Sequence, residues 1–151
     1  MGACNAGYIK LESFRGRNNV SQGFSKSPPL PTRAGVISFV IDGGGAAITT
    51  GIKGDLEIPF QCTITAATLL ADQSGSIVVD IWMDTYAAYP PTDADSITSA
   101  TPPTIATATK SQDVTLTTWT KAIPSGSTLR FNVDSCTTIQ RVCVSLAVTK
   151  T

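Results

Sequence analysis

From residue 36 onward, apolar and polar residues alternate in short runs punctuated by turn formers. The run Val36-Ile37-Ser38-Phe39-Val40-Ile41 is apolar and largely β-branched, and Asp42-Gly43-Gly44-Gly45 ends it in a reversal. Residues 54–60 alternate again, with Pro59 marking an edge strand, a bulge or a strand end. Residues 62–71 continue in the same style, and Asp72-Gln73-Ser74-Gly75 reads as a turn. Residues 76–84 form the strongest strand signal. There Ile77, Val79, Ile81 and Met83 share one face, with Val78, Asp80, Trp82 and Asp84 on the other. Residues 85–112, rich in Thr, Ala and Ser with four prolines, read as a long, contact-forming connection with one short strand. Strands are expected again at 113–120, 128–133 and 139–148, with turns at 124–127 and 134–135. Seven or eight short strands without helical periodicity predict an all-β domain over residues 36–151. The expected form is an antiparallel, jelly-roll-like β-sandwich.

Residues 1–35 lack either periodicity. Their apolar residues are scattered, and Ser27-Pro28-Pro29-Leu30-Pro31 is stiffened by proline, so the segment is expected to be an extended N-terminal arm. Charge separates arm from body. The first 35 residues carry five cations and one acid, and the rest carry six cations and ten acids, so the halves are +4 and −4 in a chain of net charge zero. Such an arm is suited to docking on a polar or negative partner.

Composition narrows the chemistry. With no histidine, this chain holds no His-containing catalytic triad and no His-based zinc site. Cys4, Cys62, Cys136 and Cys143 form no CxxC pair. They read as small buried hydrophobes in a protein made in a reducing cytoplasm, with a Cys136–Cys143 bridge left open. No apolar run is long enough to span a membrane, and none resembles a signal peptide. Asp80 and Asp84 flank Trp82 on one strand face, a combination that suggests a sugar site. An extended strand separates their Cβ atoms by roughly 13 Å, too far for a retaining glycosidase pair, so they read as loop-capping or solvent-facing acids. Asp93 and Asp95, near Asp84, are a sparse set for Ca²⁺ and fit a turn instead. Glycines 43–45 lack the following helix that a phosphate cradle needs. The body's scattered cations, without interleaved aromatics, give no nucleic-acid signal. No cofactor or metal is expected.

Several blocks resemble a β-module of tailed-phage and prophage virion proteins. They are Gly35-Val36-Ile37-Ser38-Phe39-Val40-Ile41-Asp42-Gly43-Gly44-Gly45, Ile48-Thr49-Thr50-Gly51-Ile52-Lys53-Gly54, and the distinctive Leu70-Ala71-Asp72-Gln73-Ser74-Gly75-Ser76-Ile77-Val78-Val79-Asp80-Ile81-Trp82. Further matching blocks are Asp84-Thr85-Tyr86-Ala87, Tyr89-Pro90-Pro91-Thr92, Lys110-Ser111-Gln112-Asp113 and Leu129-Arg130-Phe131-Asn132-Val133-Asp134-Ser135. The resemblance covers residues 35–151 and implies a module of the virion surface, with no catalytic residues to carry over. Where fibre-like members have collagen-like repeats, this chain has a 35-residue arm, and in that it resembles capsid decoration or cement proteins.

The expectation is therefore a non-enzymatic virion protein, made in the bacterial host and anchored on the head by its arm. Tyr8, Phe14, Arg15, Arg17, Phe24, Pro28 and Pro29 are the candidate contacts. The expected partners are the major capsid protein and further copies of the chain, as a dimer or trimer. The alternative is a short tail-fibre or receptor-binding tip whose Trp82, Tyr86 and Tyr89 contact host glycans.

Overall fold

The computed structural model describes residues 33–151; the candidate arm contacts, from Tyr8 to Pro29, lie outside that range. Seven strands make up the described chain: β1 (Arg33–Asp42), β2 (Gly51–Ile58), β3 (Cys62–Thr85), β4 (Thr104–Asp113), β5 (Ala122–Ile123), β6 (Ser127–Thr137) and β7 (Arg141–Lys150). All pairings are antiparallel, and the only helical pieces among the described residues are short 3-10 turns. The described residues are all-β, as the alternation predicts. Its first strand begins at Arg33, three residues before the expected Val36.

The registers reveal one long ribbon folded across its middle. Strand β3 pairs first with β7, from Cys62 opposite Lys150 to Ala71 opposite Val142. It then pairs with β6, from Ser76 opposite Thr137 to Thr85 opposite Ser127. On the far side, β1 follows β7 and β2 follows β6. Ile58 sits opposite Ser127 and Cys62 on Lys150, positions 23 residues apart along β6 and β7. Laid flat at about 3.3 Å per residue, that separation would exceed about 70 Å, whereas the Pro59-Phe60-Gln61 link spans no more than about 14 Å. The ribbon must therefore fold over. Hydrogen bonds close it: Gly126 N–H donates to the Ile58 carbonyl and Thr151 N–H to the Gln61 carbonyl. The two resulting layers are β1-β7 with the first half of β3, and β2-β6 with its second half. Strand β4 runs along the other edge of β3 across the fold.

Alternation within each strand fills the space between the layers. Ile37, Ile41, Ile64, Leu69, Val144 and Leu146 from one layer form a single core with Val79, Ile81, Leu129, Phe131 and Val133 from the other. Phe39 of β1 stacks on Phe131 of β6 at 4.3 Å between ring centroids. The Phe39 ring occupies the space above Gly54, where a Cβ would lie 2.8 Å from its Cζ.

Three sequence expectations are corrected. Asp72-Gln73-Ser74-Gly75 is not a turn but the middle of β3. The Asp72 carboxylate accepts from the Gln140 and Arg141 N–H groups, Gln73 donates to the Thr138 carbonyl, and Thr138 donates to the Ser74 carbonyl. These contacts hold the segment extended at the fold line. Residues 134–135 belong to β6, and the break before β7 falls at 138–140 instead, with both strands running the same way along β3. The expected strand at 113–120 is mostly a loop, because the Asp113 carboxylate accepts from the Thr115 and Leu116 N–H groups and turns the chain.

Candidate binding surfaces

The two layers present opposite kinds of outer face. On the β2-β6-β3 layer, the outward positions carry Asp55 and Glu57, then Thr128, Arg130 and Asn132, then Asp80, Trp82 and Asp84. The connection between β3 and β4 reaches onto this face at Tyr89 and Pro91, and its residues 96–97 pair with the edge of β3. Asp80 is buried and accepts four donors: the Ile81 N–H, the Trp82 indole N–H at 2.7 Å, the Ser96 hydroxyl at 2.8 Å and the Thr98 hydroxyl. Three of these donors reach Oδ1 and the indole N–H reaches Oδ2. Asp80 is thus the loop-capping acid of the sequence reading, and it ties residues 96–98 to the strand. Trp82 is only 8% exposed, which corrects its place among the receptor contacts. Ser96 bridges to it along the strand edge, and its one donor is used by Asp80.

Beyond Trp82 the same face remains open. Arg130 grips Asp55 through Nε and a terminal nitrogen, at 2.6 and 2.9 Å, and reaches the Pro91 carbonyl at 3.2 Å. The Tyr89 hydroxyl donates to Asp55 at 2.7 Å, and the Arg130 guanidinium lies 5.4 Å from the centre of the Tyr89 ring. The bond from Arg130 holds the Asp55 carboxyl below the usual carboxylate range, and the bond to Asp55 raises the Tyr89 phenol. Beside this triad, Asp55, Glu57, Tyr86, Tyr89 and Thr128 line an open cleft of about 420 Å³. Tyr86, on a 3-10 turn capped by the Thr85 side chain, is 77% exposed. The structure therefore brings together two of the three expected aromatic contacts. It adds Asp55, Glu57, Thr128 and Arg130, which the sequence reading did not single out. Their alternation in two strands is visible in sequence, but the pairing that sets Asp55 opposite Arg130 is not.

The outer face of the β1-β7-β3 layer is plain by comparison. Cross-strand rows read Val36, Ala147, Ala66; then Ser38, Ser145, Thr68, Gln112; then Val40, Cys143, Leu70, Lys110. The Ser38 and Ser145 hydroxyls pair at 3.2 Å, and Gln112 donates to Thr68 at 3.0 Å. Val36, Val40 and Leu70 are 65%, 56% and 50% exposed. Within these rows Lys110 is the one charge, and the Asp42–Arg141 ion pair forms the rim at one end.

Among the described residues, no group of three or more Asp, Glu, Cys or His is placed to hold a metal ion. Asp93 and Asp95 belong to a 3-10 turn in which Asp95 accepts from the Thr92 N–H and hydroxyl. Cys62, Cys136 and Cys143 are free thiols; burial pushes Cys62 and Cys136 up. No helix among the described residues is long and apolar enough to cross a membrane. Compared with family models, curated proteins and solved structures, the chain matches none.

Proposed function

We propose that the chain is a non-enzymatic structural protein of a tailed-phage virion, a decoration or cement subunit of the head. The observation that carries the reading is the outer face of the β1-β7-β3 layer, where Val36, Val40 and Leu70 are exposed and Lys110 is the one charge within the rows. A sheet face with exposed apolar side chains among small and hydroxyl residues is the kind of surface that another protein covers. The resemblance of residues 35–151 to virion surface modules makes that partner the major capsid protein, with the basic first 32 residues lacing the subunit to the shell. Many copies then sum weak apolar burial over a lattice. The test is occupancy on particles. Deleting residues 1–32, or introducing V40K with L70K on the exposed face, abolishes decoration; unchanged occupancy in both variants refutes the reading.

The open cleft beside Tyr86 and Tyr89 favours a second reading, a receptor-binding tip on a short tail fibre. Copy number separates the two: hundreds of copies per virion belong to the head, a few tens or fewer to the tail.

A further inference from the structure

We infer that the cleft between β2, β6 and the Tyr86–Ala88 turn is a binding subsite for a neutral pyranose sugar. The inference rests on the cleft itself and holds on either the head or the tail reading. Three features carry it.

The first is shape. A shallow open hollow of about 420 Å³ is lined by one highly exposed aromatic ring, a second half-exposed ring, two carboxylates and a hydroxyl. Pyranoses present an apolar face of C–H groups and an equatorial rim of hydroxyls, so they need a ring to stack on and acceptors beside it. Tyr86 supplies the free ring, and Glu57 and Thr128 supply the polar partners.

The second is preorganisation. Tyr89 is fixed by its hydrogen bond to Asp55 and by the Arg130 guanidinium against its ring. Arg130 is in turn held by Asp55 and the Pro91 carbonyl. One wall of the cleft is therefore set before a ligand arrives, which lowers the ordering cost of binding.

Charge is the third feature, and it selects the ligand class. Asp55, Glu57 and Asp84 share this face with Arg130, which is engaged by Asp55. An anionic sugar would meet uncompensated carboxylates. At the Tyr89 ring a quaternary ammonium would compete with Arg130; the free Tyr86 ring is where the choline arm of the experiment separates a cation from a polyol. A neutral polyol meets neither the like charge nor that competition. A single ring on an open cleft is expected to bind with Kd on the order of 1 mM, the affinity then being multiplied by copies of the module.

The experiment is a ¹⁵N-HSQC titration of the full chain with the methyl glycosides of glucose, galactose and N-acetylglucosamine, each to about 50 mM, roughly 50 times the expected Kd. N-acetylneuraminic acid and choline form the comparison arms. At least one neutral glycoside is expected to shift the amides of Glu57, Tyr86 and Thr128. Tyr86→Ala, at an exposed position, is expected to weaken that binding about tenfold, in line with the loss of a stacking contact, and Glu57→Gln to weaken it less. The inference is overturned if no neutral glycoside shifts these residues, if the acid or choline binds more tightly, or if Tyr86→Ala binds as well as the parent. Particle occupancy of Tyr86→Ala stays normal under the head reading, so failure of the sugar site and failure of that reading are separable.

Discussion

Asp80 is a carboxylate inside a strand, and its four donors determine its contribution. Removing it leaves the buried Trp82 indole N–H without its acceptor and takes from the buried Thr98 hydroxyl one of its two partners, the Ser96 hydroxyl being the other. Asp80→Ala is therefore expected to lower the unfolding free energy by about 2–4 kcal/mol, measured by urea denaturation. Asp55 contributes differently. Its folded-state carboxyl is lowered, first by the Arg130 bond, so its contribution is fully present above the unfolded carboxyl range near about pH 3.9 and is lost as pH falls through the lowered folded value. Tyr89 acts on the alkaline side. Its raised phenol stabilises the fold below the unfolded tyrosine range near about pH 10, and that contribution is lost as pH climbs through the raised folded value. Asp42, Asp95 and Asp113 are also lowered, so the comparison must be between variants. Across pH 5 to about 2, the melting temperature of Asp55→Asn is expected to fall less steeply than that of the parent. The difference is modest, because the pair is partly solvated.

At the scale of elements, β3 explains what the sequence could and could not disclose. The inward sets Ile77, Val79, Ile81 and Leu129, Phe131, Val133 are legible from alternation alone, because a half-buried strand imposes a period of two. The continuity of β3 is not legible. Asp72-Gln73-Ser74-Gly75 has the local chemistry of a turn, and it is kept extended by partners some 65 residues away in sequence, at Thr138, Gln140 and Arg141. The same blindness applies to Trp82, whose outward position in the alternation says nothing of its burial in the fold. Gly75 is where this matters energetically. A Cβ there would fall within contact distance of the Thr137 carbonyl and the Thr138 and Ile139 side chains. Gly75→Ala is expected to destabilise the fold by about 1–3 kcal/mol, read from thermal or urea melts, because the fold line cannot open without breaking both layers. Gly54 is a second close approach, set by the Phe39 ring.

For the whole molecule, folding one ribbon across its middle yields two outer faces from a single alternating pattern. One is charged, reached by the β3–β4 connection at Tyr89 and Pro91, and hollowed beside Tyr86. The other carries a single charge within its rows, Lys110, with Val36, Val40 and Leu70 exposed on it. We propose that this division of labour, one face for the particle and one for ligands, underlies the function. A cryo-EM reconstruction of the virion that carries the chain tests it most directly. The account predicts density for residues 33–151 in hundreds of copies on the head, with Val36, Val40 and Leu70 turned to a neighbouring subunit and Tyr86 turned to solvent. Copies confined to the tail, or the face of Val36, Val40 and Leu70 left bare on the outside of the particle, would contradict it.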